Sequence, residues 1–297
     1  MRDDSSYIFF KKRNMDEKPR IAMIVPMKGK LLLITELLMS IVYHSQYDRD
    51  KLDIYIADTG SSDEEILRLS KLLGRLKREE NLNCKLIKFD YYNFGKINNA
   101  VVKCHVRRDT DMLLFCNNDI SLINDAISIV ANEFVLMGED VGTIGARLMY
   151  PDNTVQHAGM MLSYKKGVPS YTHFMYKKTF HGLKSERIDT WGNTGAFMAI
   201  PLELFEQYGG FNEAYKNCFE DVELNLKLIR DGKRNRTCLD ALCWHFESTT
   251  RGRSINEDDL KLIREFTKSD QFFFKKNQDA DLSTPVLFDK IKKPENI

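Results

Sequence analysis

The chain has 297 residues, 43% of them hydrophobic, and its 44 Lys and Arg against 43 Asp and Glu leave a formal net charge of +1. That apolar fraction is enough for one large domain or two closely joined halves. The charge balance excludes bulk electrostatic binding to a nucleic-acid backbone, which needs a concentrated basic surface, and no apolar run approaches the ~20 residues that cross a bilayer.

Residues 1–20 are mostly polar and read as an arm. The short apolar run Ile21-Ala22-Met23-Ile24-Val25-Pro26 reads as a buried strand that Pro26 stops, because proline cannot donate to a ladder. Ile34, Leu37, Leu38, Ile41 and Val42 recur at helical spacing. Leu52-Asp53-Ile54-Tyr55-Ile56-Ala57-Asp58 predicts a second strand, and Thr59-Gly60-Ser61-Ser62-Asp63 a loop and helix N-cap before a helix over 66–76. A third strand is expected over 84–89, a helix over 97–106 and a fourth strand over 112–116. Strands alternating with helices predict parallel βαβ units, a doubly wound, mostly parallel Rossmann-like sheet. Beyond it, 141–149 reads as a strand and Pro151-Asp152-Asn153 as a turn. Residues 163–190 show no clear period and read as a mobile loop or one facing a second substrate. Residues 203–208 read as a short helix closed by Gly209-Gly210, 222–231 as a helix stopped near Gly232, and the tail after Ser254 as charged and helical.

In open α/β sheets ligands bind beyond the carboxyl ends of the strands, and polar residues gather there: Asp58 after the second strand, Asn117-Asn118-Asp119 after the fourth. A carboxylate beside carboxamides supplies the hard oxygens a divalent cation wants, although such a trio also makes an ordinary helix-capping turn. Phe219-Glu220-Asp221 opens a helix, where the dipole stabilises carboxylates; it reads either as a cap or as a general base. His245, after Ala241-Leu242-Cys243-Trp244, is a metal ligand or a structural histidine, and His157 in Gln156-His157-Ala158-Gly159 is read the same way. Trp191-Gly192-Asn193-Thr194-Gly195-Ala196-Phe197 joins glycines to small polar residues, as a turn or as a close approach to a ligand.

In order and in register, these segments resemble the family 2 inverting glycosyltransferases of GT-A fold, nearest to their bacterial rhamnosyltransferase-like branch, over about residues 20–253. Residues 21–26 resemble the family's opening strand, with Met27-Lys28-Gly29 in place of its usual polar residues; 58–63 resemble the turn whose Asp reads the nucleotide base; and Asn93-Phe94-Gly95-Lys96-Ile97-Asn98-Asn99 resembles the segment lining the nucleotide. Asn117-Asn118-Asp119 stands where the family has its DxD motif, with Asn for the first Asp. The resemblance implies donor contacts from Pro26, Asp58, Lys96, Asn98, Asn117, Asn118 and Arg251, with Asn117 on the ribose or on a metal-bound water. It implies Asp119 and His245 as ligands of Mn²⁺ or Mg²⁺, and Asp221 as catalytic base. Trp191, Gly192, Thr194, Gly195, Glu220 and His157 would line the donor sugar and acceptor. Implied as well are a domain divided into a nucleotide-sugar half (21–120) and an acceptor and catalytic half (121–255), followed by a tail (256–297).

The activity implied is transfer of a sugar from a UDP-sugar or dTDP-rhamnose to a hydroxyl of a glycan or lipid-linked glycan, in surface polysaccharide synthesis. Two alternatives stand beside it. A sugar-phosphate nucleotidyltransferase would want a basic, Gly-rich phosphate loop after the first strand, which Met27-Lys28-Gly29-Lys30 matches poorly. A catalytically silent sugar-nucleotide-binding protein would not need the intact set of Asp58, Asp119, Asp221 and His245. Six cysteines without a CxxC pair suit buried thiols in a reducing compartment, and the start of the chain lacks the pattern of a secretory signal. The expected location is cytoplasmic. Phe9-Phe10-Lys11-Lys12-Arg13 and Phe272-Phe273-Phe274-Lys275-Lys276 pair aromatics with basic charge, which suits peripheral contact with the inner face of a membrane or packing on the core or a second subunit of a homo-oligomer.

Overall fold

A computed structural model describes residues 17–165, 168–179, 187–216, 218–246 and 256–269. The first half alternates strand and helix: β1 (Ile21–Met27), α1 (Leu31–His44), β2 (Leu52–Asp58), α2 (Asp63–Glu80), β3 (Asn83–Lys88), α3 (Phe94–His105) and β4 (Met112–Cys116). All of these strands pair in parallel, in the order β4-β1-β2-β3. β1, β2 and β4 are buried along their whole length because helices cover both faces. Alternate residues divide between the two layers: Ile21, Met23 and Val25 pack with Ile34, Leu37 and Leu38 of α1, whereas Ala22 and Ile24 pack with Phe94, Ile97 and Val101 of α3.

The rest of the chain adds β5 (Ile120–Leu122), α4 (Ala126–Met137), β6 (Val141–Met149), β7 (Val155–His157), β8 (Met160–Lys165), β9 (Val168–His173), β10 (Arg187–Thr190), β11 (Phe197–Pro201), α5 (Leu202–Gln207), α6 (Glu220–Arg230), β12 (Arg234–His245) and α7 (Glu257–Ser269). β11 runs antiparallel between β4 and β6 and joins the halves into one ten-stranded sheet of order β10-β12-β6-β11-β4-β1-β2-β3, with β5 and β7 at its side.

Local chemistry accounts for several boundaries. α2 opens on a capping box in which the Ser62 hydroxyl accepts from the Glu65 amide while the Glu65 carboxylate accepts from the Ser62 amide. α3 begins at Phe94, three residues before the periodicity predicts, because Asn93 Oδ1 accepts from the Lys96 amide and caps it. Pro26 does not stop β1; the strand runs on to Met27, paired with Asp58. The β4 ladder has ended at Ile24, so the missing N–H of Pro26 leaves no bond unmade on that side.

Residues 163–190 are not a plain loop. The hairpin β8–β9, in register from Met160↔His173 to Lys165↔Val168, begins just before them and runs into them, and they end in the edge strand β10. The aromatic-basic segments at 9–13 and 272–276, and Arg251, lie outside the described residues. Among the described residues no helix is long and apolar enough to cross a membrane.

Candidate active site

β5 follows Asp119 at once and pairs antiparallel with the end of β12, setting Ile120 opposite His245. This pairing brings two side chains together that are far apart in the chain. Asp119 Oδ1 lies 3.2 Å from His245 Nε2, both groups being largely buried. Asn117 Nδ2 lies 3.4 Å from the same nitrogen, and the Phe246 amide donates to the Asp119 carbonyl at 3.0 Å. On the other side of the ring His245 Nδ1 bonds Gln156 Oε1 of β7. With the Nδ1 proton given to Gln156, the Nε2 lone pair is turned toward Asp119 and Asn117. A hydrogen bond on the far nitrogen is the usual way a ligating histidine is held in one tautomer.

Asp221 stands in the first turn of α6. Its Oδ2 accepts from the Gly195 amide at 2.8 Å and its Oδ1 from the Val222 amide at 2.8 Å. Phe219, which precedes the helix, takes φ +84°, an uncommon conformation for a side chain of this size. Phe219 is held there by ring contacts with Tyr171, Tyr215 and Phe266 of α7, at 5.5, 5.6 and 6.1 Å between centroids. Glu220 is buried.

The loop 191–196 carries the connection between the two carboxylates. Gly195 binds Asp221, and the carbonyl of the next residue, Ala196, accepts from the Asn117 amide at 3.0 Å. Hydrogen bonds therefore run from Asp221 through the loop to Asn117 and His245, and the Asp119 carboxylate closes on the same imidazole at 3.2 Å. The loop itself is locked from below. Asn225, one turn into α6, accepts from the Asn193 amide at 3.1 Å and donates to the Asn193 and Asp221 carbonyls at 2.9 and 2.7 Å. Thr143 donates to Asn225 at 2.6 Å, and Thr237 donates to Asn193 at 2.7 Å. Glycine is required where this lattice passes: a Cβ on Gly145 would stand 2.1 Å from Asn193 Oδ1, and one on Gly192 2.6 Å from Asn225 Cβ. Trp191 is buried at the start of the loop, and Thr194 lies at its turn, its Oγ1 3.4 Å from the Ala196 amide.

The expected donor-side residues lie at the ends of β1, β2 and β4 and on α3. Asp58 is buried and binds its own turn, accepting from the Ser61 hydroxyl and, at 3.1 Å, from the Ser61 amide. The Gly29 amide donates to Ser61 Oγ at 2.8 Å, tying the loop after Pro26 to that turn. Lys96 Nζ rests 4.4 Å from the centre of the Tyr91 ring. Asn98 is fully buried and donates to the Phe94 carbonyl. Asn118 is half-buried in the turn between β4 and β5. His157 is buried, with its Nδ1 2.7 Å from His173 Nδ1, and burial together with the nearby His173 and His245 pushes its pKa well below the ordinary imidazole value.

Gln156, His173 and the Asn193–Asn225 pair carry no role in the sequence reading. Gln156 is visible only as the neighbour of His157, His173 sits in a stretch without periodicity, and a buried asparagine lattice has no linear signature. Among the described residues no group of three or more His, Cys, Asp and Glu is placed to hold a metal. The pair Asp119 and His245, one carboxylate and one oriented imidazole, nonetheless has ligand chemistry that suits a divalent cation.

Solved structures share this architecture. The chain superposes on GalNAc-T7, solved with UDP, GalNAc and Mn²⁺, with a TM-score of 0.66 over 90% of this chain and 53% of that one, at 10% identity. The fold is GT-A. Other GT-A matches are TarS of S. aureus in complex with UDP-GlcNAc (TM-score 0.58, 16% identity, 89% of this chain and 68% of that one) and the mannosyltransferase PcManGT of Pyrobaculum calidifontis with GDP-Man and Mn²⁺ (TM-score 0.55, 18% identity, 91% and 67%). In sequence, this GT-A chain is 27% identical over 245 residues to the O-antigen biosynthesis protein RfbC of Myxococcus xanthus, and 25% identical over 282 residues to the uncharacterized protein y4gI of Sinorhizobium fredii. The alignments take in 78% and 92% of this chain but only 18% and 29% of those relatives. No protein-family profile matches the chain.

Proposed function

We propose that the chain is an inverting glycosyltransferase that moves a sugar from a nucleotide diphosphate, a UDP-sugar or dTDP-rhamnose, to a hydroxyl of a glycan or lipid-linked glycan in surface polysaccharide synthesis. The observation that carries this reading is the bonded path from Asp221 through Gly195 and Ala196 to Asn117, His245 and Asp119. In this reading the four groups serve one reaction at one end of the GT-A sheet. UDP or a UDP-sugar in two of the structural matches, and O-antigen biosynthesis in the name of the relative RfbC, support the donor class and the pathway.

In this reading Asp221 takes the proton of the acceptor hydroxyl as that oxygen attacks the anomeric carbon. Two amide N–H bonds hold the carboxylate in place before substrate arrives, so little reorganisation is needed in the transition state. A single displacement inverts the anomeric centre, and the leaving group is the nucleoside diphosphate. Asp119 and His245 would hold Mn²⁺ or Mg²⁺, which when bound supplies positive charge to the departing diphosphate. Asn117 and Asn118 orient the ribose or a bound water, Asp58 and Lys96 address the nucleotide, and Arg251 adds charge near the diphosphate.

The test is a donor screen that reads released nucleoside diphosphate with Mn²⁺ present, with glycan acceptors and without. Turnover of one donor class by the wild type, lost in Asp221→Asn, supports the proposal. A chain that releases pyrophosphate, or turns over no donor with any acceptor, defeats it.

A further inference from the structure

Behind the His245 ring, on its Gln156 side, a cavity of about 400 Å³ opens under the β8–β9 hairpin. Two residues of its wall, His157 and Thr194, are ones the family resemblance sets beside the donor sugar and acceptor. Its volume is in the range of small-ligand sites, about 300–1,000 Å³. Tyr150, Tyr171 and Tyr176 bring three aromatic rings to its wall, and His157, His173 and Thr194 add polar groups.

The rings are held by neighbours rather than free to turn. Tyr171 sits edge-on to Phe219 at 5.5 Å, Tyr150 sits edge-on to Tyr176 at 6.3 Å, and Lys177 Nζ lies 3.6 Å from the centre of the Tyr150 ring. The two histidines share one Nδ1-to-Nδ1 hydrogen bond, in which one ring donates and the other accepts. That arrangement is available to a pair of neutral imidazoles. No Lys, Arg, Asp or Glu is among the described residues of the wall. Aromatic faces with neutral donors and acceptors fit a ring that is apolar on its C–H faces and hydroxylated at its rim. They do not fit a phosphate, which calls for cations.

Position supplies the other half. Thr194, in the wall, directly precedes Gly195, whose amide holds the Asp221 carboxylate. A sugar in the cavity has the base close by, and the imidazole of His245 stands between it and Asp119.

We infer that this cavity binds one uncharged pyranose of the acceptor, stacked on the tyrosine rings, with its reacting hydroxyl turned past Thr194 toward Asp221. This rests on the transferase reading, but binding can be measured without it. The probes are methyl glycosides of neutral hexoses and 6-deoxyhexoses, with methyl glucuronide and glucose 6-phosphate as charged controls. They are followed by saturation-transfer NMR on the full chain, alone and with Mn²⁺ and UDP. The wild type is expected to bind at least one neutral glycoside and neither charged control. Tyr176→Ala, at a half-exposed position where truncation spares the core, is expected to weaken that binding about tenfold, the loss of one good aromatic contact. Tyr43→Ala, exposed on α1, serves as the unchanged control, and retained UDP binding by Tyr176→Ala reports a folded chain. The inference is overturned if no neutral glycoside binds, if Tyr176→Ala binds as the wild type does, or if a UDP-hexose displaces the glycoside, which makes the cavity the donor sugar's. Glycoside binding through Tyr176 in a chain that turns over no nucleotide sugar would defeat the transferase reading and leave a sugar-binding cavity standing.

Discussion

Asp221 accepts two backbone amides and hangs from a helix that Asn225 ties to the 191–196 loop. Asp221→Asn keeps the shape and removes the proposed proton acceptor. Nucleotide binding is expected to survive while turnover falls at least ~10²-fold, within what a general base contributes; stopped assays of nucleoside diphosphate release beside titration calorimetry with UDP check this. Gln156→Leu removes the partner of His245 Nδ1, and Mn²⁺ affinity is expected to drop about 10–100-fold, the usual cost of losing such an outer partner. His157 gives a pH signature. Its depressed pKa means that the unfolded chain takes up a proton the folded chain refuses. Its contribution to stability is complete above the unfolded value of about 6.5 and is lost as pH falls below it. The Tm is expected to decline below pH ~6.5, and His157→Gln is expected to flatten part of that slope.

Elements are positioned here by buried polar bonds as much as by apolar packing. The lattice of Asn193, Asn225, Asn235, Thr143 and Thr237 joins α6, β6, β12 and the 191–196 loop with all five side chains nearly inaccessible. Gly192→Ala drives a methyl against Asn225 and is expected to cost about 1–3 kcal/mol by overpacking, read as a lower urea midpoint with unchanged m. The motif residues 191–195 were legible in the sequence as glycines among small polar groups. Their partner Asn225 was not, because it looks like any polar position in an amphipathic helix, and only the crossing of α6 over β6 gives it a second meaning. Similarly, the hairpin was hidden in residues 163–190 because Pro169, Gly167 and a mixture of Tyr, Lys and His break any period of two.

At the scale of the whole molecule, the sheet is closed at β10 and β12 by charge. Glu133 of α4 bonds Arg187 at 2.9 Å and Arg236 at 2.8 Å, while Asp189 bonds Arg236 at 2.9 Å and Arg234 at 2.5 Å. Both carboxylates are buried. Glu133→Gln leaves Arg187 with Asp240 and Arg236 with Asp189, so it is expected to lose about 3 kcal/mol, the low end for a broken buried pair; thermal unfolding checks it. Cation binding at Asp119 and His245 should also register globally. Mn²⁺ at 100 times its Kd is expected to add about 2.7 kcal/mol, seen as a Tm increase that His245→Ala abolishes.

The sequence by itself determined the parallel half of the fold. Runs such as 21–25 and 112–116 are apolar throughout because helices cover both faces, and the intervening helical periods leave only a parallel sheet to bury them. It also marked Asp58, Asp119 and His245, which close apolar runs, and Asp221, which opens a helix. What only the tertiary structure decided is their company. Asp119 meets His245 through a three-residue strand too short to announce itself, Gln156 meets His245 through an equally short β7, and the cavity exists only where a hairpin without periodicity folds over them. Contacts between residues so far apart in the chain depend on strand pairing and register, and those are set by the sum of the packing rather than by any local pattern.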